Sequence, residues 1–194
     1  ILGSDYVDVD NNGPSDADKG YWVKFDYVKY ADKSKWRAPY SGCMYNPGKS
    51  SSLEDDMGSY SYGEKEVWYL SRIQTSTHIV IFELSERNDN IEANSELNQE
   101  SDTIANLQGS KSGLKIDKIT LYEKSSYESN PSNAIPIQEV HFEYDYSLCQ
   151  GVPNNNGGLQ TNDSATQNQG GKLTLKKVWF TFEGNGRGAL NPYV

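Results

Sequence analysis

Three segments of the chain share a hydrophobic pattern that is typical of β-strands. Each segment begins with two apolar residues separated by a single residue. Two polar residues follow, and then a β-branched apolar residue. The segments are 68–75, 114–121 and 173–180. Alternation places apolar side chains on one face of a strand. The two-residue polar step shifts that alternation, so a regular strand would turn its second half to the opposite face. The pattern therefore predicts a β-bulge or bend in each segment.

A second pattern alternates with the first along the chain. Each copy begins with Val, has Phe two residues later and ends two residues further with a large apolar or aromatic residue; the copies are 23–27, 80–84, 140–144 and 178–182. This alternation predicts a repeated antiparallel unit. The predicted fold class is all-β, mainly antiparallel sheet or sheets of repeated bent hairpins with long polar loops. The strand residues predicted to be buried include Ile119, Leu121, Val140, Phe142 and Tyr144.

The length of 194 residues fits a single β-rich domain, 1–194, or a fragment of a longer chain. Fourteen Tyr and four Trp supply large side chains that suit strands. Residues 88–113 and 150–171 are polar and rich in Asn, Ser, Gln or Gly, which predicts flexible insertions. We expect both ends to continue into a longer polypeptide.

The net charge of −9 argues against nucleic acid or an anionic membrane as the main partner. Apolar runs stay well short of the roughly 20 residues that a membrane-spanning helix needs. Cys43 and Cys149 either pair across a long loop, as in an extracellular protein, or remain two unrelated thiols.

The N-terminal segment 1–20 has the residue spacing of a compact calcium loop. The candidate ligands occupy positions 1, 3, 5 and 9 of the loop and are Asp8, Asp10, Asn12 and Asp16. Ca²⁺ binds several oxygen atoms at one point, so short oxygen-bearing side chains around a sharp turn at Gly13 suit it. Lys19 stands where an EF-hand requires a bidentate Glu. The alternative is a turn built by Asx residues and Gly without an ion.

The sequence carries no recognisable catalytic signature. His78 and His141 fall in predicted strands, and no Gly-flanked Ser offers a nucleophile elbow. The Gly-rich stretch 184–188 lacks the Lys-Ser/Thr pair and the following helix of a phosphate-binding loop. We therefore expect a protein that is not an enzyme. A glycoside-type hydrolase using loop carboxylates, such as the acidic run 54–56, is the third interpretation.

A carbohydrate-binding β-sandwich is the alternative function. Aromatic side chains present large flat surfaces, on which a sugar ring can stack. The candidate platform residues are Trp22, Trp36, Tyr40, Tyr60 and Tyr62.

The alternation of the two strand patterns resembles the β-hairpin arrays of Rhs/YD-repeat proteins and of insecticidal toxin-complex shell proteins. The resemblance is carried by Leu70-Ser-Arg-Ile73 followed by Val80-Ile-Phe-Glu-Leu84, and by Ile116-Asp-Lys-Ile119 followed by Val140-His-Phe-Glu-Tyr144. In shell proteins of this kind, acidic calcium-type loops can precede the hairpin array.

The segments 140–149 and 171–182 are also similar to recurring stretches of very large surface or secreted proteins of Bacteroidota-type bacteria. These resemblances imply a structural or binding module in an extracellular or cell-surface protein. Its expected partners are the rest of its own polypeptide, another surface protein or a glycan. Ca²⁺ is the one cofactor expected.

Overall fold

The computed structural model describes residues 1–38, 61–93, 112–150 and 170–194. Their strands are β1 (Lys24–Ala38), β2 (Ser61–Gln74), β3 (His78–Ile91), β4 (Ser112–Glu123), β5 (Gln138–Leu148) and β6 (Lys172–Phe182). All six form one antiparallel sheet in chain order, with a short helix α1 (Lys124–Ser129) and a 3-10 helix (Gly186–Leu190). The predicted all-β, mainly antiparallel class is confirmed, while the repetition of one hairpin unit stays a prediction.

Each of the three expected bends coincides with a shift in strand register. Ser71 is the extra residue of β2 against β1, Asp117 that of β4 against β3, and Lys176 that of β6 against β5. Each is the first of the two polar residues in its segment. Because a bulge sets two residues against one, the apolar residues on both sides of it stay on the same face. The bulges inferred from the pattern are therefore present.

The bulges also mark where the sheet divides. β2 pairs with β3 only through 72–74, and β4 pairs with β5 only through 118–121. Both pairings end beside a bulge, at Ser71 and at Asp117. The six strands are continuous only at the end that contains 72–74 of β2 and 118–121 of β4, here called the joined end. The pairing stops there because a bulge bends its strand and increases its twist. Beyond the joined end the strands separate into three two-stranded ribbons, β1–β2, β3–β4 and β5–β6.

The joined end has an apolar face whose residues are only partly covered. Strand register defines this apolar face as Phe25, Tyr27, Leu70, Ile73, Val80, Phe82, Ile119, Leu121, Val140, Phe142, Val178, Phe180 and Phe182. Phe25, Tyr27 and Phe182 are 38%, 57% and 56% exposed, and the other ten are half-buried. The expectation that Ile119, Leu121, Val140, Phe142 and Tyr144 are buried is wrong, since all five are half-buried. Alternation identifies an apolar face but does not say what covers it.

The opposite face, the polar face, is the better covered one. It carries Asp26, Arg72, Gln74, Ile79, Glu83, Lys118, Thr120, Glu139, His141, Trp179 and Thr181. Gln74, Ile79, Thr120 and Thr181 among them are buried. Larger side chains on adjacent strands can cover a short side chain such as Thr120, because facing residues of a sheet stand about 5 Å apart.

The N-terminal segment and α1 close the joined end. Trp22, just before β1, is 2% exposed. Lys124 of α1 lies with its Nζ 5.2 Å from the centroid of the Trp22 ring, and its backbone N–H donates to the carbonyl of Thr77. The Lys124 ammonium also forms an ion pair with Asp16. Segment 1–22 is thereby held to α1 by packing and charge, and α1 is held to the turn between β2 and β3 by a hydrogen bond.

Beyond the joined end, a buried ion pair ties one ribbon to another. The Arg87 guanidinium donates from Nε to Oδ1 and from Nη2 to Oδ2 of Asp89, both at 2.8 Å. The backbone N–H of Leu173 in β6 donates to the same carboxylate at 2.9 Å. Burial tends to raise the pKa of Asp89, but the hydrogen bonds from Arg87 and Leu173 hold it below its usual range. The carboxylate therefore joins β3 to β6 in its charged form.

Asp89 lies in a segment that the sequence analysis assigned to a flexible insertion. The insertion expected at 88–113 begins too early, because β3 continues to Ile91 and β4 begins at Ser112. The polar residues at the end of β3 form a strand because Asp89 finds its partners across the ribbons. The remainder, 94–111, and most of the second expected insertion, 151–169, lie outside the described residues.

We expect Asp89→Ala to lower the free energy of unfolding by about 3 kcal/mol, because it leaves a half-buried guanidinium and a backbone N–H without their acceptor. Asp145→Ala is the matched control, since Asp145 is a more exposed β5 carboxylate 3.6 Å from Lys176. Its loss should cost less than about 1 kcal/mol. Urea titrations measure both changes, and equal costs for the two variants would contradict the assignment.

The same pair should make stability depend on pH. A carboxylate with a lowered pKa contributes stability above its unfolded pKa of about 3.9 and loses it as the pH falls through the lower folded value. The difference in unfolding free energy between the native chain and Asp89→Asn should therefore shrink progressively below pH 4, about where the free carboxyl titrates. A difference that stays constant from neutral to acid pH would contradict this account.

Candidate functional site

The acidic loop, residues 5–20, is organised by one carboxylate. Asp18 accepts hydrogen bonds from the backbone N–H groups of Val9 at 2.8 Å and Ser15 at 2.9 Å, and from the hydroxyl of Tyr6 at 2.9 Å. Burial tends to raise the pKa of Asp18, but these bonds outweigh burial and lower it. Burial and the adjacent Asp18 carboxylate raise the pKa of Tyr6 to about 12, so its hydroxyl stays a donor at neutral pH.

Three carboxylates of the loop converge on one point. Asp8, Asp10 and Asp18 each offer an oxygen, and these oxygens lie within 4.8 Å of one another. Oδ2 of Asp8 accepts from the backbone N–H of Gly13 at 3.1 Å, whereas its buried Oδ1 has no hydrogen-bond partner. Gly13 has a φ of 84°, which a glycine adopts without strain. Clustered carboxylate oxygens are the donor set that a hard cation such as Ca²⁺ takes.

The structure brings together only part of the expected ligand set. Asp8 and Asp10 lie in the group, while the side-chain amide of Asn12 donates to Oδ2 of Asp10 at 2.9 Å. Asp16 is exposed and turns away to pair with Lys124. Asp16 therefore lies outside the carboxylate group, and Asp18 stands in it instead.

The sequence analysis did not predict Asp18, because the nine-residue calcium-loop spacing counted from Asp8 ends at Asp16. Val7 and Lys19 form an antiparallel bridge, with each backbone N–H donating to the other residue's carbonyl at 2.9 and 3.2 Å. In such a bridge the next residues inward also face each other, which brings Asp18 beside Asp8. The apolar Val7 before the loop and the closing Gly20 were the available signals of this pairing.

The expected aromatic platform is not assembled by the residues described. Trp22 is buried beneath Lys124 and offers no face to a sugar. In the register of β1 with β2, Trp36 faces Gly63 and Arg37 faces Tyr62. Since neighbouring residues of a strand point to opposite faces, Trp36 and Tyr62 lie on opposite sides of the ribbon. Tyr40 and Tyr60, like the acidic run 54–56, lie outside the described residues.

A network of charged and polar side chains crosses the polar face. Lys118 Nζ lies 2.9 Å from a carboxylate oxygen of Glu83 and 3.1 Å from one of Glu139. The Thr181 hydroxyl donates to the other oxygen of Glu139 at 2.8 Å. Burial tends to raise the pKa of Glu139, but Thr181 and Lys118 lower it overall. The network therefore links β3, β4, β5 and β6 through a charged Glu139.

His141 completes this network at the side of β6. Its Nε2 lies 3.0 Å from the Thr181 hydroxyl, and its ring stacks on Trp179 with centroids 5.1 Å apart and an interplanar angle of 4°. Because the Thr181 proton goes to Glu139, Nε2 is the donor to the Thr181 oxygen. Thr181 is buried and its hydroxyl is engaged on both sides, so it is not presented as a nucleophile. The arrangement fixes strand register.

Of the two cysteines, Cys149 lies in the described part of the chain. Cys149 follows β5 as a free, exposed thiol with a φ of 56°. Cys43 lies outside the described residues. Among the residues described, Cys149 belongs to no cluster of metal-ligating side chains.

Comparison with family models, curated proteins and solved structures found no match to this chain. The resemblance to Rhs/YD-repeat and toxin-complex shell proteins therefore remains an expectation carried by the strand patterns. Neither helix in the described part of the chain is long and apolar enough to cross a membrane.

Proposed function

We propose that this chain is a non-catalytic structural or binding module of a large extracellular or cell-surface bacterial protein, and that its apolar face packs against another apolar β-layer. The observation that carries the proposal is that none of the thirteen residues of the apolar face is buried. A sheet that is hydrophobic on one face normally buries it against a second layer. The strand patterns that resemble surface and toxin-shell proteins support the extracellular setting.

The exposed aromatic area indicates how much such packing contributes. Phe25, Tyr27 and Phe182 together leave about 300 Å² exposed, since a ring side chain covers roughly 200 Å². At about 25 cal/mol per Å², covering them contributes about 7 kcal/mol before the cost of association. A contiguous apolar surface of this kind is typical of an interaction site.

The chemistry of the apolar face defines the partner. In the two rows of residues that cross the joined end on this face, Gln138 is the one polar residue and no residue is charged. An uncharged surface has no group that would pair with the phosphates of a nucleic acid or with an ionic ligand. It fits a second apolar sheet, at the spacing of about 10 Å between stacked sheets.

Thiol labelling tests the proposal with two adjacent positions. Tyr27→Cys and Val28→Cys, each in a Cys43→Ser, Cys149→Ser background, place a thiol on opposite faces of β1 at sites 57% and 46% exposed. In the isolated chain at high dilution both should react readily with a maleimide. In the intact parent protein Tyr27→Cys should be protected and Val28→Cys should remain reactive. Equal reactivity of the two thiols in the parent protein would refute the proposal.

We also propose that the acidic loop binds one Ca²⁺ through Asp8, Asp10 and Asp18. The buried, unpartnered Oδ1 of Asp8 favours this, because a buried acceptor without a partner is costly. A cation would also relieve the repulsion between three adjacent carboxylates. The bound ion would hold both arms of the loop, which begins and ends beside the Val7–Lys19 bridge.

Calcium should raise the melting temperature of the native chain, because an ion that binds only the folded form stabilises it by mass action. At a hundredfold excess over the dissociation constant the gain is about 2.7 kcal/mol, which corresponds to several degrees for a chain of this size. Asp8→Asn should abolish the shift, and Mg²⁺ should produce less of it. Asp16→Asn is the control and should keep the shift. Absence of both a thermal shift and a calorimetric heat would leave a turn without an ion.

A further inference from the structure

We infer that the layer covering the apolar face is a second copy of this chain, stacked face to face about a twofold axis. The inference rests on the proposed function, because it names the partner of the same surface. Twofold dimers use one self-complementary patch on both subunits. The apolar face meets this condition in its area, its charge and the order of its side chains.

The area of the apolar face decides what kind of dimer to expect. The three exposed aromatics and the ten half-buried residues together expose on the order of 600 Å². Specific interfaces bury about 800 Å² per partner, and weak ones less than about 600 Å². The face therefore lies near the lower end of specific interfaces. A reversible dimer that dissociates on dilution is the expected result.

The distribution of charge permits two copies of an acidic chain to meet. The chain carries a net charge of −9, which opposes association in general. Of the carboxylates on the strands of the joined end, Glu123 stands opposite His78 at the edge of the apolar face, whereas four others lie on the polar face: Asp26, Glu83, Glu139 and Glu143. Stacking through the apolar faces places these groups on the two outer surfaces of the dimer. Like charges are then separated by two sheets.

The order of side chains along one row makes the face complementary to itself. The row runs Phe25, Ile73, Val80, Leu121, Gln138 and Phe182 from β1 to β6. Its two end residues are exposed aromatics, and the four residues between them are aliphatic except for Gln138. A twofold axis parallel to the strands, between β3 and β4, places Phe25 of one copy over Phe182 of its partner at both ends. Val80 then meets Leu121 in the middle, and the aliphatic part of the Gln138 side chain meets Ile73 on either side of the axis.

Sedimentation velocity over about 2 to 200 µM tests the inference in the concentration range of a micromolar dissociation constant. The native chain should pass from monomer to dimer within this range. Tyr27→Asp and Phe182→Asp should each raise the dissociation constant about 100-fold or more, because two unpaired carboxylates would be buried per dimer. Val28→Asp adds the same charge one residue away on the opposite face and should leave dimerisation unchanged. Circular dichroism melts verify that each variant is folded.

Each outcome bears on one claim. A native chain that stays monomeric at 200 µM, or a dimer that survives both Tyr27→Asp and Phe182→Asp, overturns the second copy as occupant. Loss of the dimer in Val28→Asp as well would assign the contact to another surface. If the chain is monomeric but Tyr27→Cys is protected in a monomeric parent protein, the proposed function stands and the covering layer belongs to that polypeptide.

Discussion

One extra residue in every second strand determines the shape of this sheet. Ser71, Asp117 and Lys176 each shift the register by one position between a short apolar pair and the β-branched residue that follows. Because the shift restores the phase of alternation, the apolar residues of the pattern on both sides of the bulge reach one face. The same bulges bend the strands, so that neighbouring ribbons lose their pairing just beyond them. One local irregularity thus sets both the apolar face and the division of the sheet.

A divided sheet has to be joined by side chains where ladder hydrogen bonds end. Asp89 provides such a link, since its carboxylate accepts from Arg87 of its own strand and from the backbone of β6. Tyr69 provides another, because its hydroxyl accepts from the backbone N–H of Leu114 at 2.8 Å, and the hydroxyl of Tyr144 donates to the Ile116 carbonyl at 2.8 Å. Beyond the joined end, long side chains with polar ends therefore connect the ribbons, whereas backbone hydrogen bonds connect the strands at the joined end.

The bulges could be predicted from sequence because they follow from local periodicity alone. Burial could not, because it depends on what packs against the apolar face, which periodicity does not encode. Asp89 could not be identified for a related reason, because it stands in a run of polar residues and its partner Leu173 is distant in sequence. In the acidic loop, Asp8 and Asp10 followed from spacing, whereas Asp18 depended on the bridge closing the loop. Contacts between distant segments explain these misses.

The acidic loop is coupled to the joined end through a buried ammonium. Lys124 is 5% exposed, and a cation at such a site is stable only when carboxylates neutralise it. Asp16 of the loop contacts it directly, and Glu128 of α1 lies 3.8 Å away. The loop therefore supplies a charge that the sheet needs, while Trp22 covers the same ammonium from its ring face. Any ligand that orders the loop would hold Asp16 in place, and the stability of the loop and of the joined end would rise together.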